Sequence, residues 1–259
     1  MQPDVRELLR VIGVRGFTYR EMRAGAAPAV LEAARRRARG ELTIALHAPV
    51  AGAGTTAVCA GLARALSRRG WRAVAFDLDP QGDLAAHLTP GGGAACVPYA
   101  EARSAAADAL AARSDAILVD APARPSREVE QALSRADEVV LVLRADAASR
   151  AAVPAADALL ARCGVGAWRR ARARYLVNGF DGRDPAQRAA LAGLRAALGD
   201  RLLPFTVQRD DAVREAIAAR RRLEDVAPGS QVLRDLDALA DALAPAPPRA
   251  RAAGAAGEL

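Results

Sequence analysis

From residue 41 to about residue 243 the chain alternates short apolar runs with longer stretches of helical periodicity. Leu42–Leu46, Ala73–Phe76, Ala116–Val119, Val139–Leu143 and Tyr175–Val177 are rich in Leu, Val and Ala, with almost no polar alternation. Runs of this kind suit strands buried on both faces, as in a parallel sheet covered by helices. Between and after them, Thr55–Ser67, Arg127–Arg135, Ser149–Arg162, Pro185–Leu198 and Asp210–Arg220 read as helices. The alternation predicts an α/β fold with a doubly wound, mostly parallel sheet. Ligands of such sheets bind beyond the carboxyl ends of the strands. The residues just after each apolar run are therefore where chemistry is expected.

A chain of 259 residues suits one such domain with short additions. The division reads as a helical extension and linker over 1–40, a nucleotide-binding domain over 41–244 and a tail over 245–259. The extension holds two amphipathic candidates, Val5–Ile12 and Ala27–Arg39. The tail, Pro-rich and poor in bulky apolar residues, is expected to be mobile. Apolar residues make up 52% of the chain and aromatics 3%, so the core is built mainly from Ala, Val and Leu. No run approaches the roughly 18 apolar residues of a transmembrane helix. Met1-Gln2-Pro3-Asp4 lacks a secretory pattern. A cytoplasmic location follows, with any membrane association made through partners.

Three cysteines without a C-x-x-C spacing give neither a disulfide framework nor a zinc site. His47, at a strand end, and His87, on a helix, read as structural. Every one of the 37 basic residues is arginine, and the formal charge is +7. Local concentrations fall at Arg35–Arg37, at Arg169, Arg170, Arg172 and Arg174, and at Arg220–Arg222. Solvated helix faces account for such runs more simply than nucleic acid does. DNA binding stays as the alternative, and an acidic partner or an anionic lipid surface is a weaker one.

Three motifs follow the predicted strands. The first, Leu46-His47-Ala48-Pro49-Val50-Ala51-Gly52-Ala53-Gly54-Thr55-Thr56, has the frame of a phosphate loop without its lysine. Gly52, Ala53 and Gly54 would let backbone N–H groups approach phosphates, and Thr55 and Thr56 would offer hydroxyls to phosphate and Mg²⁺. The second, Phe76-Asp77-Leu78-Asp79-Pro80-Gln81-Gly82-Asp83, brings two carboxylates to the sheet edge. One would hold a metal's water shell and the other would orient an attacking water. The third, Ile117-Leu118-Val119-Asp120-Ala121-Pro122, is an apolar strand ending in Asp, which would reach Mg²⁺ through water.

In this order the motifs resemble the ParA/MinD family of deviant phosphate-loop ATPases, with Asp77-Leu78-Asp79-Pro80-Gln81-Gly82 the most specific match. The family loop reads K-G-G-V-G-K-T-T. Counted back from Thr55-Thr56, its lysines fall on Pro49 and Gly54, or the first falls on Val50 if the loop is one residue shorter. Within the superfamily the chain is similar to the cellulose-biosynthesis BcsQ branch, whose loop typically reads G-G-V-G-T-T. That likeness continues through Arg144-Ala145-Asp146-Ala147, Tyr175-Leu176-Val177-Asn178-Gly179-Phe180, Arg201-Leu202-Leu203-Pro204 and Gln208-Arg209-Asp210-Asp211-Ala212. The segment from Asp4 to Met22 is similar to the small cellulose-operon proteins BcsR and BcsP.

The resemblance implies ATP and Mg²⁺ as cofactors. Gly52, Ala53, Gly54, Thr55, Thr56, Asn178 and Pro204 would contact the nucleotide, with Asn178 reading the adenine edge and the segment after Pro204 packing on the base. Thr55, Asp77 and Asp120 would serve the metal, and Asp79 would orient water. It implies a homodimer closed around nucleotide, acting as a regulatory or assembly subunit beside a cellulose synthase or its cytosolic accessory subunits. The missing lysine, with Pro122-Ala123-Arg124 in place of Pro-Pro-Gly, predicts poor turnover; Arg124 or Arg144 would be the compensating charge. A ParA/MinD-type partition or positioning ATPase is the alternative. An iron–sulfur reductase of the same fold is disfavoured, because only Cys96 would approach a dimer interface.

Overall fold

The computed structural model describes residues 42–88, 93–102, 104–163 and 173–244. The expected helices in 1–40, the segment similar to BcsR and BcsP, the tail over 245–259, and Arg169, Arg170 and Arg172 lie outside the described residues. In chain order the elements are β1 (Leu42–His47), α1 (Thr55–Arg68), β2 (Ala73–Asp77), α2 (Leu84–His87), β3 (Ala95–Val97), α3 (Ala105–Ala112), β4 (Ala116–Ala121) and α4 (Arg127–Arg135). There follow β5 (Glu138–Leu143), α5 (Ala147–Arg162), β6 (Arg174–Phe180), α6 (Pro185–Leu198), β7 (Leu202–Gln208), α7 (Asp211–Ala218), α8 (Leu223–Val226) and α9 (Gln231–Leu243).

The strands form one sheet in the order β3-β2-β4-β1-β5-β6-β7. Every pairing is parallel. The chain leaves β1 toward β2 on one side and leaves β5 toward β6 on the other. The neighbours β1 and β5 therefore flank the topological switch point, where a ligand crevice opens in sheets of this class.

Side chains alternate across each strand. Ile44 and Leu46 of β1, Leu118 of β4, Val140 and Val142 of β5 and Leu176 of β6 face α1 and α9. Ala45, Leu141, Leu143, Tyr175 and Val177 face the other layer, built from α4, α5 and α6. The first layer is tied down by charge as well as by apolar contact. Arg68 and Arg69, at the end of α1, bond Asp237, Arg69 also bonds Asp241, and Arg68 pairs with Glu224. Among the described residues, no helix is long and apolar enough to cross a membrane.

Two strands, β3 and β7, and two helices, α3 and the single turn α8, were not foreseen. β3 is three residues of modest β character on an edge, too short to show periodicity. β7 contains Pro204, which reads as a breaker in sequence. It is tolerated because β7 is an edge strand, where the missing N–H faces no neighbour. α3 is an alanine-rich segment with little amphipathic contrast.

Candidate functional site

Most helices here begin with a polar cap. Ser104, Ser126, Asp146, Asp184, Asp210 and Ser230 each accept a backbone N–H from the first turn of their helix. α1 begins differently. Its N-cap is Gly54, in the left-handed conformation at φ 83°, with no side-chain cap. Its first-turn N–H groups thus have no side chain to bond and point out of the carboxyl edge of the sheet. The preceding loop turns through Gly52, also left-handed at φ 79°.

The loop is held from the side by β6. Asn178 donates its amide to the carbonyl of Ala53 at 2.8 Å. A Cβ on Gly54 would lie 2.4 Å from the same amide nitrogen. Position 54 therefore takes glycine on two counts, backbone angle and space. A glycine so required suits the G of the G-K-[ST] frame of an ordinary phosphate loop, with Thr55 and Thr56 following it. In that frame Thr55 would take the lysine's place, Thr56 that of the metal-binding hydroxyl, and the first signature position would fall on Val50, the one-residue-shorter alternative.

The carboxylates agree with that register. β2 and β4 pair so that Asp77 and Asp120 are neighbours at the sheet edge. The Thr56 hydroxyl lies close enough to the Asp120 carboxylate to favour its charged form. Asp120 is 2% exposed, and its Oδ2 atom is buried without a partner. Burial pushes its pKa up to about 7, against the Thr56 hydroxyl, and the nearby charges of Asp77, Asp79 and Asp83 add to the rise.

Asp77 is used differently. One of its oxygens accepts the N–H of Asp79 at 2.8 Å and the other accepts that of Leu84 at 3.1 Å. It therefore organises the turn over 78–84 from within. Burial still raises its pKa, and the two N–H donors oppose that rise. Asp79 is half-buried and accepts the N–H of Gln81 at 3.0 Å. It opens, with Ala51, Tyr99 and Arg124, onto a cleft of about 470 Å³ on that side of the loop. His47 is buried at the end of β1 beside the Ala121 and Pro122 carbonyls, and burial holds its pKa below the usual value.

On the other side, a cleft of about 390 Å³ runs from Gly52, Ala53 and Gly54 past Asn178 to Val207 and Gln208. Ala57 and Val58 of α1 form one apolar wall, and Val213 and Ile217 of α7 the opposite one. The structure thus brings Gly52, Ala53, Gly54 and Asn178 onto one cleft; Thr55 and Thr56 open α1 directly after the loop, and Asp77 and Asp120 stand side by side at the sheet edge, outside the lining of that cleft. It does not bring Pro204 there. Pro204 is exposed in the first half of β7, four residues short of the carboxyl end, or about 13 Å along the strand. Val207 and Gln208, in the segment after Pro204 expected to pack on a base, do line the cleft; the part of α7 that forms its opposite wall carried no such expectation, since nothing local marks it as facing α1. Among the described residues, no group of three or more His, Cys, Asp or Glu side chains makes a metal cage. Cys96 lies in β3, half-buried, and Cys59 is buried in α1.

A family model described as cellulose biosynthesis protein BcsQ matches residues 94–243. No curated protein gives a match. Among solved structures, apo McdA from Cyanothece superposes with a TM-score of 0.62 at 12% identity, over 78% of this chain and 99% of its own. MinD from Pyrococcus horikoshii complexed with Mg-ADP gives 0.60 at 18% identity, over 79% and 96%. Cobyrinic acid a,c-diamide synthase from Mycobacterium smegmatis, with bound ADP and magnesium, gives 0.60 at 18%, over 78% and 94%. At these identities the likeness is one of fold, and the fold is that of the ParA/MinD phosphate-loop proteins.

Proposed function

Because the chain belongs to the family of the cellulose biosynthesis protein BcsQ, we propose that it binds ATP with Mg²⁺ and serves as a regulatory or assembly subunit of a cellulose synthase complex. One observation carries the nucleotide reading. The uncapped start of α1 at Gly54 stands beside a Thr56–Asp120 pair that keeps one buried carboxylate oxygen unpartnered. Backbone N–H groups at a helix start favour phosphate. An orphaned, buried carboxylate oxygen costs free energy until a cation or a donor reaches it. Mg²⁺ suits such a place, since it is usually held by one or two protein oxygens, phosphates and water rather than by an all-protein cage.

In this reading Gly52, Ala53 and Gly54 cradle the phosphates, and Thr56 and Asp120 hold the metal, Asp120 through water. Asp77 orders the turn that carries Asp79, and Asp79 is left to orient a water. Bound Mg²⁺ would supply charge neutralisation on the phosphate oxygens. Asn178 donates one of its two amide N–H groups to Ala53, and its carbonyl oxygen would accept from an exocyclic amine. Adenine carries such an amine at the position where guanine carries an oxygen, which favours ATP. The base fits between Ala57 and Val58 on one side and Val213 and Ile217 on the other.

Thr55 in the lysine's place removes a positive charge from the transferring phosphate, and a missing cation of that kind costs on the order of 10³–10⁵ in rate elsewhere. Nucleotide then acts as a ligand that stabilises one state, a face-to-face dimer, with little turnover. That dimer would dock on the synthase or its cytosolic accessory subunits at the inner face of the membrane. The DNA-partition alternative draws on the chain's formal charge of +7; the lysine-free loop weakens it, because positioning systems depend on cycles of hydrolysis.

Calorimetry with Mg-ATP and light scattering with and without nucleotide test the reading together. Binding that needs Mg²⁺ and a nucleotide-dependent rise from monomer to dimer are expected. Absence of Mg-ATP binding would sink the reading. Steady, fast hydrolysis would sink the view of ATP as a ligand.

A further inference from the structure

The phosphate end of the cleft lacks the charge that its fold position calls for, because no residue from Ala48 to Thr56 is basic. Five arginines line the cleft: Arg64, Arg144, Arg209, Arg214 and Arg221. Topology separates them. β5 pairs directly with β1, with Leu141 opposite His47, and Arg144 is the first residue beyond β5. It therefore leaves the sheet one strand spacing, about 4.8 Å, from the strand that feeds the loop. Arg209, Arg214 and Arg221 follow β7, two strands further out. Arg64 lies nine residues down α1 from Thr55, about 13 Å along its axis.

The neighbours divide four of them again; Arg209, 58% exposed and 3.8 Å from Asp211, is set apart by topology alone. Arg214 is held by Asp211 at 2.6 Å. Arg221 bonds the Asp225 carbonyl, and Arg64 bonds the His87 carbonyl. The Arg144 side chain is 60% exposed and its approach to Asp146 is loose, at 3.5 Å, through the carboxylate oxygen other than the one that caps α5. The Arg144 backbone, by contrast, is fixed: its N–H donates at 3.0 Å to the hydroxyl of Ser149, which is 1% exposed. An anchored main chain with an uncommitted guanidinium is prepared to meet a ligand. Arg124 leaves the strand on the opposite side of β1, but it opens onto the separate cleft with Ala51, Asp79 and Tyr99.

We propose that Arg144 supplies, from the strand next to the loop, the positive charge on the nucleotide's phosphates that the loop itself lacks. A guanidinium carries paired donors that match two phosphate oxygens and stays charged at any working pH. Arg144 is thus a positioning and affinity residue for a polyphosphate. A cation placed there secures binding without restoring the loop lysine's place on the transferring group.

The assignment rests on the nucleotide reading above, and the test separates the two. Dissociation constants for Mg-ATP, Mg-ADP and AMP are measured for the wild type, Arg144→Ala, Arg144→Lys and Arg124→Ala, with thermal melting of each. Arg144→Ala is expected to melt like the wild type and to lose tenfold or more in Mg-ATP affinity. The loss should shrink for Mg-ADP, nearly vanish for AMP, and be partly recovered by Arg144→Lys. Arg144→Ala affinity for Mg-ATP within twofold of wild type overturns the assignment and leaves the nucleotide reading standing. So does a loss carried by Arg124→Ala instead. Wild-type protein that binds no Mg-ATP overturns both.

Discussion

The side-chain amide of Asn178, at the end of β6, hydrogen-bonds the carbonyl of Ala53 in the phosphate loop at 2.8 Å. A single bond thus joins the part of the cleft suited to a base to the part suited to phosphates, across 125 residues of sequence. Ala53 is 3% exposed, so water would not replace the lost donor. Asn178→Ala is expected to cost about 1–3 kcal/mol of stability, the usual penalty for a buried unsatisfied acceptor. It should also lower nucleotide affinity through a loosened loop. Urea titration and calorimetry check the two effects, and an unchanged unfolding midpoint would refute the latch.

The register of the loop separates two adjacent threonines. Thr56→Ala removes the hydroxyl close to Asp120 and is expected to abolish the Mg²⁺ dependence of nucleotide binding. Thr55→Ala should do little to it. Thr55→Lys returns a cation to the G-K-[ST] frame and should raise hydrolysis above the wild-type rate. A phosphate-release assay across the three variants decides the register. Equal losses from Thr55→Ala and Thr56→Ala would contradict it.

Asp120 gives the metal-free protein a definite pH dependence. Its pKa is raised from 3.8 to about 7, so between those values the folded state holds a proton that the unfolded state has released. Stability of the metal-free, nucleotide-free protein therefore falls as pH rises from about 4 to 7 and levels off above. The contribution is on the order of 4 kcal/mol at most. Asp77, also raised by burial, acts in the same direction. Asp120→Asn should flatten the profile and be the more stable form at pH 8. Melting temperatures across pH, with a chelator present, measure this; a wild-type profile that rises from pH 4 to 7 would exclude it.

Gly61 sets how closely α1 and α9 approach. A Cβ there would lie 2.4 Å from Leu236 Cδ1, and Leu236 is 4% exposed in the core. Gly61→Ala should gain a little helix propensity and lose more through overpacking, a net cost of about 1–3 kcal/mol. Combining it with Leu236→Ala should cost less than the sum of the single variants. Strict additivity in denaturant melts would argue against the contact.

Arg220 is the one non-glycine residue with positive φ among the described residues, at 51°. It follows α7 in the left-handed position where helices commonly place glycine. The N–H groups of Arg220 and Arg221 close the helix on the Ile217 and Ala216 carbonyls. Arg220→Gly is expected to stabilise the fold by about 1 kcal/mol. A lower melting temperature would indicate that the Arg220 side chain makes a stabilising contact of its own.

Much of the architecture was legible because its signals are local. β1, β2, β4, β5 and the core of β6 were visible as apolar runs, since a strand covered on both faces leaves no polar position. α4 was visible with both of its ends, Arg127 and Arg135, because Ser126 caps it and its periodicity is strong. The three acid- and glycine-bearing turns were legible for the same reason, each following directly on a strand. β3 and β7 were not, because edge strands are short or broken by proline and owe their place to a neighbour.

The sequence by itself determined that this is a parallel α/β chain with a lysine-free phosphate loop and carboxylates at the edge of its sheet. Tertiary structure alone decided which threonine meets Asp120. Adjacent residues on a helix point about 100° apart, so only the packing of α1 against β4 selects Thr56 over Thr55. It also decided that the oxygens of Asp77 accept the N–H groups of its own turn, that Asn178 closes the loop, and that Pro204 stays away from it. Each of these depends on groups brought together by pairings between strands and helices distant in the chain. The acidic residues of α9 follow the same rule: Asp237 and Asp241 look like a solvated face in sequence, and become partners of Arg68 and Arg69 once α9 lies along α1.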